Sequence, residues 1–196
     1  MRKIALTGGI GTGKSYISQI FRAMDFPVYS ADSEARKFYQ YPEVIEKVKD
    51  YFGETVCIDQ KIDLVKLSAL VFKGEEKLHY LNSLIHPLVM ADFEQWCTQQ
   101  QSETVFMESA IIFEAALTHF FDMIITVDAP LSTRIARIKQ RNPDYSDEHI
   151  QYRISSQIEQ SIKCHQSDLV ILNLEEGSWD IVYSNNQLFF RCSVIA

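Results

Sequence analysis

Gly8-Gly9-Ile10-Gly11-Thr12-Gly13-Lys14-Ser15 decides the fold. Ile4, Ala5 and Leu6 before it form a short apolar run suited to a buried strand. Tyr16 to Met24 after it carries apolar residues at helical spacing. Strand, glycine turn and helix in that order make a phosphate-binding loop. Glycines let backbone N–H groups close around phosphate oxygens, and the new helix adds its positive end. Gly11, Thr12, Gly13, Lys14, Ser15 and Tyr16 are therefore the expected nucleotide-binding residues. Lys14 can reach the β- and γ-phosphates, and the Ser15 hydroxyl can hold magnesium. A dinucleotide fingerprint does not fit. Counted from Gly9 its last glycine would be Lys14, and counted from Gly11 it would be Tyr16. The loop implies a nucleoside triphosphate, with Mg²⁺ as its expected companion.

The chain has 196 residues, enough for one domain with a sizeable insertion. A formal charge of −7 argues against a general nucleic-acid or membrane surface. Four cysteines, Cys57, Cys97, Cys164 and Cys192, lack any Cys-x-x-Cys spacing, so neither a zinc site nor a disulfide framework is expected. Free thiols in a reducing cytosol are the simplest account. The first strand begins almost at once and leaves no room for a signal peptide, so a cytoplasmic location is expected. No oligomeric state is assigned.

Ile4–Leu6, Val28–Ser30, Val105–Met107, Met123–Val127 and Leu169–Leu172 read as strands separated by helical patterns. That alternation predicts an α/β fold: a five-stranded parallel sheet with helices on both faces. The second and third strands are separated by far more chain than one crossover helix needs. Within it Leu64, Leu67, Leu70 and Val71 repeat at helical spacing, with Asp63 as N-cap. Leu78, Leu81, Leu84 and Ile85 make a second pattern, interrupted at His86-Pro87 and resumed by Val89, Phe93 and Trp96. The reading is a single domain over 1–196. Residues 1–32 and 101–196 form a nucleotide-binding core, 33–100 a helical acceptor-binding insertion, and 137–157 a small helical lid. In the lid region Arg134, Arg137 and Arg141 share a helix face, Asn142-Pro143 stops that helix, and Ser146 caps the next.

Phosphoryl transfer also needs a group to orient or deprotonate the acceptor. Asp32 follows the second strand at the carboxyl end of the sheet, where ligands bind in open α/β folds. Position alone favours a plainer reading, the cap of a helix over Ser33 to Tyr39, and a carboxylate can both cap and face a substrate. Arg141, then Arg137, are candidates for contacting the transferred phosphoryl, with a solvated helix face as the plain alternative. Arg134 fits that plain alternative better. Glu108, ending the third strand, can order magnesium-bound water; Glu114 lies a turn or two beyond. His86 reads as an acceptor contact or a local hydrogen-bonding group. Tyr39, Tyr41, Tyr51 and Phe52 read as core or as the wall of an acceptor pocket. On these residues alone, a kinase for another small metabolite or nucleotide and a nucleotide-dependent switch both stay open. There is no Asn-Lys-x-Asp or Thr-Lys-x-Asp guanine-reading motif.

The ordered series of motifs resembles the dephospho-coenzyme A kinases. It runs from Leu6-Thr7 through Ser15 to Ala31-Asp32, then Ile62-Asp63 with Leu67 and Val71-Phe72, then Ile85-His86-Pro87. Ile111-Ile112-Phe113-Glu114, Arg137 with Arg141, Arg153 with Gln157, and Asp168 with Asn173 complete it. The resemblance implies a P-loop NTPase fold and ATP-dependent phosphorylation of the ribose 3′-hydroxyl of dephospho-coenzyme A. It implies Asp32, Lys14 and Arg141 as catalytic residues, and Arg137 and Asn173 as further nucleotide contacts. Asp32, His86 and Glu114 would meet the acceptor, and Ser15 and Glu108 the metal. The chain departs from the family pattern in places. Glu108 stands for an Asp, Ala110 for a Pro and Ile111-Ile112 for two leucines. Leu64 replaces an Arg, and Leu174-Glu175-Glu176 separates Asn173 from Gly177.

Overall fold

A computed structural model describes residues 1–71, 74–174, 179–184 and 187–193. Phe72, Glu175, Glu176 and Gly177, quoted above, lie outside them. In chain order the regular elements begin with β1 (Arg2–Thr7), α1 (Lys14–Ala23), β2 (Val28–Ser30), α2 (Ala31–Phe38) and α3 (Pro42–Phe52). Next come β3 (Cys57–Ile58), β4 (Lys61–Ile62), α4 (Leu64–Val71), α5 (Glu75–Thr98) and β5 (Thr104–Glu108). The last are β6 (Met123–Asp128), α6 (Leu131–Arg141), α7 (Asp147–Ser155), α8 (Gln160–Gln166), β7 (Leu169–Leu174), β8 (Trp179–Ser184) and β9 (Gln187–Ser193). Two compact units result, one of residues Met1–Tyr29 with Gln100–Ala196 and one of Ser30–Gln99.

In the first unit the five expected strands lie side by side in the order β2-β5-β1-β6-β7. β1 runs parallel to β5 and to β6, and β6 runs parallel to β7. Ile4, Leu6, Phe106, Ile125, Val127, Leu169 and Ile171 pack with Ile17 of α1 into one buried cluster. Burial on both faces explains why these strands read as continuous apolar runs. Phe21 of α1 stacks on Phe106 with centroids 4.3 Å apart. The register pairs Leu6 with Glu108 and Thr7 with Thr126, so β1, β5 and β6 end together where the glycine loop begins.

The sheet extends two strands further than the sequence reading. β9 adds parallel to β7, and β8 pairs antiparallel with β9. Ile181-Val182-Tyr183 and Leu188-Phe189-Phe190 are the apolar runs that mark this pair in the sequence.

The second unit is helical apart from the β3–β4 hairpin. The boundary falls at Tyr29/Ser30, three residues before the expected 32/33, because α2 starts immediately after β2 and packs on α5. Asp63 caps α4 as expected: its Oδ1 accepts from the N–H of Val65 at 3.0 Å and of Lys66 at 3.2 Å. Asp63→Ala should therefore lower the unfolding free energy by about 1 kcal/mol, read as a shifted urea midpoint at constant m-value.

The expected break at Pro87 is absent; α5 runs through it from Glu75 to Thr98. Leu81, Ile85, Val89, Phe93 and Cys97 recur every fourth residue and are all buried, so packing holds the stripe in register across the proline. Ser83, whose carbonyl loses its helical donor at Pro87, is exposed, and water can replace that bond. Tyr41 and Tyr51 are exposed, and Tyr51 stacks on Tyr80 at 3.8 Å, so this aromatic group is not core. Tyr39 is half-buried, and burial raises its phenol pKa. Among the described residues no helix is long and apolar enough to cross a membrane. Cys57, Cys97 and Cys164 are free thiols.

Candidate active site

The glycine loop joins β1 to α1 at the carboxyl end of the sheet. Gly8, Gly11 and Gly13 have φ of 138°, 82° and 94°, values that strain any other residue. Gly13 is constrained twice, because a Cβ there would lie 1.9 Å from Asn173 Nδ2. Thr12 is fully buried and closes the turn on itself, its hydroxyl donating to the Gly9 carbonyl at 2.9 Å.

Lys14 opens α1, and its ammonium folds back over the loop. Nζ donates to the carbonyls of Gly8 at 2.9 Å and Gly9 at 3.2 Å. Ser15 Oγ donates to Glu108 Oε1 at 2.7 Å, and Ser18 Oγ donates to Glu108 Oε2 at 2.9 Å. Glu108 is buried, with both oxygens engaged by hydroxyls from one face of α1. Ser18, one turn after Ser15, was not singled out in the sequence, although i,i+3 spacing places it on the same face. Tyr16 is exposed.

Arg137 and Asn173 meet on the far side of the loop. Asn173 Nδ2 donates to the Thr12 carbonyl at 2.8 Å. Arg137 Nη1 reaches the same carbonyl at 3.3 Å, and its Nη2 reaches the Asn173 carbonyl at 3.4 Å. Arg141, one turn on, is exposed at the end of α6.

Arg134 departs from the solvated-face reading. It is buried, and its Nε donates to the Ile10 carbonyl at 2.9 Å. Asp128 lies near it; burial pushes that carboxyl's pKa up, against the opposing pull of the Ala129 N–H, Gln160 and Arg134. Helical spacing gave Arg134 the same face as Arg137 and Arg141. It could not tell that this end of the helix lies under the loop.

Glu114 is held behind the loop. Its Oε1 pairs with Lys163 Nζ at 2.6 Å and accepts from Ile158 N–H at 3.0 Å, and Lys163 also donates to the Ala110 carbonyl at 2.7 Å. Lys163 is fully buried, and burial lowers its pKa while Glu114 raises it. Removing one member of a buried pair leaves the other charge uncompensated. Lys163→Ala should thus cost about 3 kcal/mol in denaturant unfolding, and Lys163→Met combined with Glu114→Leu should recover most of it.

Asp32 and His86 belong to the helical unit. Asp32 is exposed in the first turn of α2, and Ser30 rather than Asp32 is the flanking residue that begins the helix. The cap reading of Asp32 is therefore not met. His86 sits within α5, its pKa lowered by burial, and its Nε2 has no hydrogen-bond partner among the described residues.

The family described as dephospho-CoA kinase matches residues 2–178. A dephospho-CoA kinase of Bacteroides fragilis is 36% identical over 173 residues, covering 87% of this chain and 84% of the relative. One from Porphyromonas gingivalis is 33% identical over 174 residues, covering 88% and 86%. Among solved structures, TT1252 from Thermus thermophilus superposes with a TM-score of 0.78 at 28% identity, covering 88% of each chain. The dephospho-CoA kinase of Campylobacter jejuni gives 0.63 at 26% identity, covering 90% of each. With its phosphate loop, parallel sheet and family match over nearly its whole length, this chain belongs to the dephospho-CoA kinase family.

Proposed function

We propose that the protein transfers the γ-phosphoryl group of ATP to the ribose 3′-hydroxyl of dephospho-coenzyme A, releasing coenzyme A and ADP as the last step of coenzyme A synthesis. The observation that carries this reading is an intact phosphate loop within a family match over residues 2–178. In the reaction the 3′-oxygen forms a bond to the γ-phosphorus, the bond from that phosphorus to the β-phosphate oxygen breaks, and the hydroxyl proton leaves to a base. Asp32 is our candidate for that base. Lys14 and Arg141 would offset charge on the transferred group, and Arg137 and Asn173 would support the nucleotide side. His86 and Glu114 are the remaining acceptor-side candidates. Glu114 would act while paired with Lys163.

Ser15 and Glu108 present hydroxyl and carboxylate oxygens 2.7 Å apart, a hard donor set that suits Mg²⁺. Among the described residues no group of three His, Cys, Asp or Glu side chains could hold a metal, so phosphate and water would complete the shell. When bound, Mg²⁺ offsets charge on the β- and γ-phosphates. A cytoplasmic site of action agrees with such a soluble substrate pair. ADP release measured across sugars, shikimate, nucleosides and dephospho-coenzyme A tests the acceptor: release should depend on dephospho-coenzyme A. Release that is equal without any acceptor would make the protein an ATPase instead.

A further inference from the structure

The front half of the glycine loop is held by side chains that the phosphate-binding reading leaves unused. Gln157 Oε1 accepts from the Ile10 N–H at 2.8 Å, and Gln160 Oε1 accepts from the Gly9 N–H at 2.8 Å. Arg134 takes the Ile10 carbonyl, so both peptide groups of that residue are fixed by side chains. Gln160 Nε2 also donates to the Val127 carbonyl in β6 at 3.0 Å, tying the loop to the sheet. Amides engaged this way do not point at a phosphate. The anion cradle is therefore confined to the later residues, Gly11 to Ser15.

The two glutamines are themselves braced. Gln157 follows the end of α7, and Gln160 is the first residue of α8. Between them the Ile158 N–H is held by Glu114, which is locked to the fully buried Lys163. Gly9 makes the approach possible: a Cβ there would lie 2.5 Å from Arg134 Nη2 and 3.0 Å from Gln160 Oε1. Its φ is not in the left-handed region, so room and not backbone freedom is what this glycine supplies.

We infer that Gln157 and Gln160 are positioning residues for nucleotide binding, fixing the front of the loop so that its later amides meet the phosphates already arranged. A loop ordered before its ligand arrives loses less entropy on binding. The inference rests on the reading of the loop as a triphosphate site. The two residues differ in what they must supply. Gln157 acts through its oxygen alone, whereas Gln160 both accepts from Gly9 and donates to Val127.

The test is calorimetric titration of the full chain with Mg-ATP, alongside steady-state kinetics and thermal melting. Gln157→Leu and Gln160→Leu should each weaken ATP binding and raise the KM for ATP about tenfold, the scale of one unsatisfied amide. The KM for the acceptor and kcat at saturating ATP should stay within about twofold, since the interaction acts on ground and transition states alike. Gln157→Glu and Gln160→Glu each add a negative charge, but only the second loses a needed donor and sets its carboxylate beside Asp128, so Gln160→Glu should bind ATP more weakly. Unchanged ATP affinity in the leucine variants, even with a lowered Tm, would overturn the inference. So would equal affinities in the two glutamate variants, which carry the test should the leucine variants fail to fold. A wild-type chain that binds no Mg-ATP would instead remove the triphosphate reading, and this inference with it.

Discussion

Lys14→Ala should lower kcat by about 10²- to 10³-fold, the size expected when a charged donor is removed from a developing phosphoryl charge. ATP binding should weaken as well. The side chain is buried, and its ammonium spans the loop to the Gly8 and Gly9 carbonyls. Those acceptors are neutral. Phosphate oxygens carry full charge and make the stronger bond to an ammonium, so an arriving triphosphate can draw Lys14 away from them. Alanine removes that charge and also leaves two carbonyls without their donor. Lys14→Met keeps the apolar stem and loses only the ammonium, so its difference from alanine isolates the loss of packing from the joint loss of charge and donor. Steady-state kinetics and ATP titration of both variants check this. If neither constant moves, the loop does not hold the phosphates.

The second large effect should come from Asp32→Asn. A positioned general base contributes about 10²- to 10⁴-fold, so turnover should fall by at least about 10²-fold. ATP affinity should stay close to wild type, because Asp32 lies outside the glycine loop, in the first turn of α2. The substitution keeps side-chain shape, and Asp32 is exposed, so the fold should tolerate it. Replacing the charge near the positive end of a helix costs only a fraction of a kcal/mol, roughly 0.3–1. A loss confined to kcat assigns Asp32 to the acceptor hydroxyl. Near-normal turnover would move that role elsewhere.

The parts of the molecule legible in the sequence are those whose causes are local. Gly8 to Ser15 with flanking apolar runs specify strand, turn and helix within a short window. The central strands are buried on both faces and so stand out as unbroken apolar runs. Asp63 and Ser146 cap their helices as their spacing implies; Ser146 Oγ accepts from the His149 N–H at 3.2 Å. What escaped was set by distant neighbours. Pro87 reads locally as a break, yet the buried stripe from Leu81 to Cys97 holds α5 together. Arg134 has the spacing of a surface arginine and is buried because the loop lies over it. Gln157 enters the sequence reading only as part of the Arg153 to Gln157 motif, with no role, and Gln160 is an ordinary polar residue in sequence. Only the folded chain brings them to a loop some 150 positions earlier, with separations of 147 and 151 residues. Lys163 would pass for a solvated lysine without the carboxylate of Glu114.

The most direct measurement is the mass of the product formed when the purified chain meets Mg-ATP and dephospho-coenzyme A, with NMR locating the new phosphate. The expected product is coenzyme A, bearing one added phosphoryl group on the ribose 3′-oxygen, formed one-for-one with ADP. Unaltered dephospho-coenzyme A in the presence of accumulating ADP, or a phosphate on any other oxygen, would contradict the account.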